Sequence, residues 1–387
     1  MSGLADLTLG FIPLTDCAPL VVAKAQGFFA EEGLEVALSR EASWATIRDK
    51  VAVGALDGAH MLAPMALAAD AMLAPLALNQ NGSAITVSTK LAAMLREIDP
   101  EAMAAPVVTA AALAKLVESR RGQGAPPLTF AVVFPQSMHN YALRYWLAQA
   151  GIDPDRDVRL VVTPPPRMVE HLRSGEIDGC CVGAPWNAVA MDEGLGEVLI
   201  KASQFWPGGP DKVFGLTAAW AERHPDELRA ALRALIRASA WADEPGNHAE
   251  LVALLSRADH VGVAPEALAR ALKSEIVFHR DAAGLPRREH ALWFLSQMAR
   301  WGQMGPDNDL DAVADRVYRP DLFREAALSL GPVFEPAMVF EAAAPASSAL
   351  FDGTPFDPAD ARGYAASFAI GRAASHSAHP GESRDPS

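Results

Sequence analysis

Apolar positions along the chain fall into short runs separated by helical spacing. Leu7-Thr8-Leu9-Gly10-Phe11-Ile12 alternates into an apolar run that Pro13 ends, the pattern of a buried strand. A helix is expected from about Ala18 to Phe29, capped by Thr15 or Asp16, with Pro19 in its first turn and Gly33 after it. Leu34 to Leu38 reads as a second strand, followed by a helix that Ser43 caps and that runs to Val53. Gly54 to Pro64 then reads as a turn, a third strand and a loop. Alternating strands and helices predict a parallel sheet covered on both faces, an α/β architecture.

The pattern returns further along. Gly175-Glu176-Ile177-Asp178-Gly179-Cys180-Cys181-Val182-Gly183-Ala184-Pro185 aligns without gaps on Gly54 to Pro64, 121 residues earlier, sharing both glycines, the aspartate and the closing Ala-Pro. Leu128-Thr129 stands at the same offset from Leu7-Thr8. The second copy again reads strand (Leu128 to Phe134), helix (Met138 to Ala150), strand (Val158 to Thr163) and helix (Arg167 to Ser174). Two related lobes follow, with a ligand cleft between the carboxyl ends of their strands. The expected crossovers lie near Ile85 to Ser88 and near Gln204 to Lys212, and Val213 to Thr217 reads as a strand returning to the first lobe. That divides the chain into a discontinuous lobe I (1–85 and 206–350), lobe II (86–205), a C-terminal packing segment (351–372) and a polar, proline-containing tail (373–387) expected to be disordered.

Composition narrows the function. The chain has 387 residues, is half apolar, and carries a formal charge of −14, which argues against a general nucleic-acid surface. Cys17, Cys180 and Cys181 form neither a disulfide framework nor a metal-ligand spacing. No run is long and apolar enough for a membrane span, and the N-terminal residues show no leader pattern, so a cytoplasmic location is expected. Phosphate loops, nucleophile elbows and metal-type histidine pairs are missing, so the expected activity is binding, without catalysis, cofactor or metal.

Candidate binding residues sit where strands run into capped helices. Trp44, in the first turn after Ser43, would lay an indole beside free backbone N–H groups, a setting that suits a small planar anion; ordinary packing explains it equally well. His139, in the first turn after Phe134-Pro135-Gln136-Ser137, is either a neutral N–H donor or a local cap contact. Lys212, at the start of the returning strand, would bring a positive charge to the cleft, or is simply solvated. Trp186 follows a strand's carboxyl end and lines the cleft or packs in the core; Asn79, Asn81, Gly82 and Ser83 offer donors before the first crossover.

Several words together resemble a known family. Gly10-Phe11-Ile12-Pro13-Leu14-Thr15-Asp16-Cys17-Ala18-Pro19, Ser43-Trp44, Arg48-Asp49-Lys50, Gly54 to Met61, Phe134-Pro135, Arg144 to Leu147 through Gly151 to Pro154, and Arg319 to Phe323 resemble the nitrate/bicarbonate solute-binding proteins of the NrtA and CmpA type. The resemblance runs to about Gly371 and implies a two-lobed type II periplasmic-binding-protein fold. It also implies that Trp44, His139 and Lys212 contact the ligand oxygens. Gln136-Ser137-Met138 replaces the Gly-Gly-Thr expected before the histidine, and Ser83 replaces a glutamine that often follows Asn81-Gly82. A member without an export signal looks like a NasS-type cytoplasmic nitrate/nitrite sensor, which holds an RNA-binding NasT-type antiterminator until ligand binds. The alternative is the substrate-binding component of a nitrate, nitrite or bicarbonate ABC transporter. A weaker third is an enzyme related to the pyrimidine-synthesis members of the fold.

Overall fold

A computed structural model describes residues 5–273, 275–331 and 349–371. The expected tail 373–387 and part of the expected lobe I, 332–348, lie outside the described residues. The first sheet contains β1 (Ala5–Phe11), β2 (Leu34–Arg40), β3 (Gly58–Leu62) and β4 (Met72–Gln80). The second contains β5 (Ser83–Ser88), β6 (Thr129–Val132), β7 (Arg159–Val162), β8 (Gly179–Gly183) and β9 (Gly196–Lys201), after which β10 (Pro210–Thr217) returns to the first.

The strand orders are β2-β1-β3-β10-β4 and β7-β6-β8-β5-β9. They are the same order twice, each sheet taking its fourth strand, set antiparallel to both neighbours, from the far side of a crossover. The first crossover is therefore Asn81-Gly82, earlier than the expected Ile85 to Ser88, because all of β5 is hydrogen-bonded into the second sheet. Gly82 has φ +90° and Asn81 φ +59°, a reversal that a glycine takes without strain.

The repeat is visible in its hydrogen bonds. The Asp57 carboxylate accepts from Thr8 N–H at 2.7 Å, and Asp57 N–H donates to Thr8 carbonyl at 2.9 Å. Asp178 makes the same pair with Thr129, at 2.8 and 2.7 Å. Each aspartate thereby ties the turn before its third strand to the start of its first, which explains why the Gly-x-x-Asp-Gly word recurs. Asp57 has one further task, accepting the Trp220 indole N–H at 2.9 Å.

Helix starts follow the caps read from sequence. Ser43 Oγ accepts from Thr46 N–H at the head of the Trp44–Ala52 helix, and Ser137 Oγ accepts from Asn140 N–H at the head of Met138–Gln149. The helix expected from Ala18 to Phe29 is two pieces, Ala18–Ala25 and Phe28–Glu31, because Gly27 adopts φ +76° between them. The longest helix, Pro225–Asp243, packs on Ala18–Ala25 and covers the first sheet. The Arg288–Arg300 helix packs on Ala361–Ala366, and Phe351 and Phe368 set their ring edges against Tyr145 of the second lobe.

The lobes meet in a closed arrangement. Thr15 N–H donates to Ala184 carbonyl at 2.8 Å, Trp186 Nε1 donates to Pro13 carbonyl at 3.1 Å, and the Arg48 guanidinium stacks over Phe134 at 5.7 Å. Among the described residues no helix is long and apolar enough to cross a membrane.

Candidate functional site

The closed seam encloses a cluster of charged and aromatic side chains. β10 opens with Pro210-Asp211-Lys212, and its register places Lys212 opposite Leu62 of β3 and Asn79 of β4. Asn79 pins this corner: its Oδ1 accepts from Lys212 N–H at 3.2 Å and its Nδ2 donates to Asn81 carbonyl at 2.8 Å. The short turn Thr15–Cys17 after β1 brings in Asp16, the middle of β3 brings in His60, and the Ser43-capped helix brings in Trp44. From the other lobe comes His139, the second residue of its helix. Lys212 and His139 are 0% exposed and Trp44 is 1% exposed.

Lys212 Nζ lies 2.9 Å from Asp16 Oδ2 and 2.8 Å from Asp211 Oδ1. His60 Nε2 lies 2.8 Å from the other Asp16 oxygen, and its Nδ1 accepts from Ile12 N–H at 3.4 Å. His139 Nε2 lies 3.4 Å from Asp211 Oδ2. The Trp44 ring stands 5.2 Å from the His60 ring and 5.7 Å from Lys212 Nζ. Trp44 Nε1 and His139 Nδ1 are buried without a hydrogen-bond partner among the described residues, as are Thr15 Oγ1 and the two histidine Nε2 atoms, which lie only within ion-pair distance of aspartate oxygens. Such groups are costly to bury unless something accepts from them.

The electrostatics follow from burial and pairing. Burial alone would push the Asp16 carboxyl up, but Lys212 and His60 beside it hold it well below the usual carboxylate range. Burial opposes the Lys212 charge, yet Asp16 and Asp211 overcome this and raise it above the ordinary lysine value. Both histidines are held down, mainly by burial and against the pull of their aspartates, His139 to about 4. With the histidines neutral, one ammonium faces two carboxylates, and the cluster carries one net negative charge.

The residues proposed from sequence divide into two groups. Trp44, His139 and Lys212 converge on the cluster. Ser83 pairs in register with Gly183, and a Cβ built at Gly183 would lie 3.5 Å from Asp16 Oδ2 and 3.6 Å from His139 Nε2, so this backbone lines the seam. Gly82 carbonyl accepts from Ala184 N–H and supports the same corner. Asn81 instead turns to the hinge side, where its Nδ2 donates to Glu275 carbonyl and it borders a cavity of about 580 Å³ with Trp206, His290 and Trp293. None of that cavity's lining residues belongs to the cluster. Trp186 is a latch between the lobes through Pro13.

Comparison with known proteins places the chain. Residues 2–256 match the family described as NMT1-like. The nitrate/nitrite binding protein NrtA of Nostoc sp. is 33% identical over 380 residues, covering 90% of this chain and 82% of that protein. The chain belongs to this NMT1-like, NrtA-related family. The crystal structure of the periplasmic nitrate-binding protein NrtA from Synechocystis PCC 6803 superposes with a TM-score of 0.83 at 30% identity, over 95% of this chain and 99% of that one. The fold is thus the two-lobed periplasmic-binding-protein fold expected from sequence. The nitrate import ATP-binding protein NrtC of Synechocystis sp. is 37% identical over 394 residues, and this chain spans 56% of its length.

Within this family frame, three members of the cluster escaped the sequence reading: Asp16, His60 and Asp211. His60 had a detectable signal, because it is the one ionisable residue in the strand word Gly58-Ala59-His60-Met61-Leu62, and the repeat sets Cys181 in its place. Thr15 or Asp16 is the expected helix cap, but neither makes a side-chain cap bond, and the Asp16 carboxylate turns to Lys212 and His60. Asp211 had none, since only the strand register carries it inward. Lys212, expected either to bring a positive charge to the cleft or to be solvated, is buried between two carboxylates. Cys17, Cys180 and Cys181 are buried free thiols, and burial pushes Cys180 up to about 12.

Proposed function

We propose that this chain binds nitrate or nitrite between its lobes, with Trp44, His139 and Lys212 on the anion's oxygens. The observation that carries the reading is the pair of unpartnered donors, Trp44 Nε1 and His139 Nδ1, buried on opposite lobes around Lys212. A small planar anion with several acceptors would satisfy both at once and would favour the closed arrangement, because only closure presents both. The nitrate/nitrite binding proteins among its relatives support the same ligand class.

The proposed output of closure is release of an RNA-binding antiterminator of the NasT type, which makes the chain a cytoplasmic sensor and not an enzyme. Its formal charge of −14 suits a partner basic enough to bind RNA. A second reading, the substrate-binding component of a nitrate, nitrite or bicarbonate ABC transporter, is favoured by the import and transport proteins among its relatives.

Calorimetric titration of the purified chain with nitrate, nitrite and bicarbonate tests the ligand. Saturable binding of nitrate or nitrite supports the reading, and no heat with any of the three overturns it. Repeating the titration with a NasT-type protein bound separates the roles: nitrate-driven dissociation supports the sensor, whereas nitrate-dependent stimulation of a transporter ATPase supports transport.

A further inference from the structure

The charge count of the buried cluster sets a condition on any anion that enters it. Lys212 is matched by Asp16 and Asp211, so an unprotonated site is already negative by one before ligand arrives. A nitrate added to it would leave two uncompensated negative charges in a water-excluded seam, which is unfavourable unless a proton comes too.

We infer that this chain takes up a proton together with its anion, and that His139 is the residue that holds the proton. The inference rests on the nitrate or nitrite reading above and adds to it the form in which the ligand is bound. Geometry distinguishes the two histidines. His60 has both ring nitrogens engaged: Nε2 lies 2.8 Å from Asp16 Oδ1, and Nδ1 already accepts the Ile12 N–H at 3.4 Å. A second proton on His60 would set N–H against N–H.

His139 has the opposite arrangement. Its Nε2 faces Asp211 Oδ2 at 3.4 Å, and its Nδ1 is buried with no partner among the described residues. As an imidazolium it donates to Asp211 from one nitrogen and to an anion oxygen from the other. The groups facing it are Asp211 and Lys212 on β10 and Asp16 on the turn after β1, with the Cys181 thiol on β8 held protonated well above its ordinary range by burial. Arg48 approaches the same loop from the Trp44–Ala52 helix but stacks on Phe134 and is half exposed. Without an anion, burial keeps His139 neutral; with one, Asp211 and the ligand both favour its charged form.

The sign follows. Binding raises the proton affinity of His139, so nitrate affinity is greatest at or below the free protein's histidine range. It falls about tenfold per pH unit above that range until the liganded value is reached. The test is calorimetry of wild-type protein with nitrate at about pH 5.5, between the free value of about 4 and the ordinary histidine value, in two buffers of different ionisation heat. The expected heats differ by the equivalent of nearly one proton taken up per nitrate. His139→Gln, which keeps a neutral donor, is expected to bind more weakly with no buffer dependence, whereas His60→Gln keeps the proton uptake. Nitrate binding with equal heats in both buffers overturns the inference, as does undiminished uptake in His139→Gln. The wild-type measurement decides even where a variant fails to fold. Absence of any nitrate binding by wild type sinks the ligand reading instead, a result distinct from binding without a proton.

Discussion

The two lobes have the same skeleton and very different interiors at their shared face. Both use the strand order just described, both lock their first and third strands through an aspartate, and both start a serine-capped helix towards the seam. Yet lobe I contributes Asp16, His60, Trp44, Asp211 and Lys212, while the places 121 residues on from Asp16 and His60 hold Ser137 and Cys181. Lobe II supplies His139 plus close backbone at Gly183. Duplicated architecture therefore carries folding, and the chemistry is concentrated on one copy. A site with its fixed charges on one lobe and a single adaptable donor on the other is complete only when the lobes close.

The strongest way to break this contrast is to empty lobe I of its cation. Lys212→Met leaves two buried carboxylates without their ammonium and is expected to lower stability by about 3–5 kcal/mol in denaturant unfolding, with loss of nitrate binding. Adding Asp16→Asn and Asp211→Asn should recover most of the stability and none of the binding. Wild-type stability in Lys212→Met alone would mean that the charges are not enclosed as described.

Next is the histidine that lobe II brings to the cluster. His139 titrates near 4 in the folded chain against an ordinary value of 6.5, so the unfolded chain binds more protons between these values. Ligand-free stability should therefore be fully present above about pH 6.5 and fall as pH drops towards about 4, by up to roughly 3 kcal/mol from this residue. The comparison that isolates it is the pH profile of melting in His139→Gln, which should be flatter; an identical slope would show that His139 is not buried neutral.

A smaller effect separates the two scaffold aspartates. Asp57 holds Thr8 N–H and the Trp220 indole, whereas Asp178 holds Thr129 N–H. Asp57→Ala is expected to cost about 3 kcal/mol and Asp178→Ala about half of that, read from urea midpoints. Equal costs would deny the added task of the first copy. Smallest in stability is Trp44→Phe, which keeps the ring but removes an N–H that has no partner in the closed seam. Melting should shift by less than about 1 kcal/mol while nitrate binding weakens about tenfold, and unchanged affinity would remove Trp44 from the ligand contacts.

The recurrence of Gly-x-x-Asp-Gly, the serine caps and the apolar strand runs were legible in the chain because each acts over a turn or a strand, within reach of a few neighbouring residues. Those words also led to Trp44 and His139, which sit at helix starts, and to Lys212 at a strand start. The helix break at Gly27 and the early crossover at Asn81-Gly82 were less visible, since a positive φ or a change of sheet is settled by what the next segment pairs with. Asp16, His60 and Asp211 lie in three separate segments, and nothing local says that they meet around one ammonium. The order of elements, the two-lobed plan and the position of the cleft were thus written in local pattern. The net charge of the site was not: it is a property of which side chains the strand registers and the closed seam enclose together, and a buried charge has meaning only against the others buried with it.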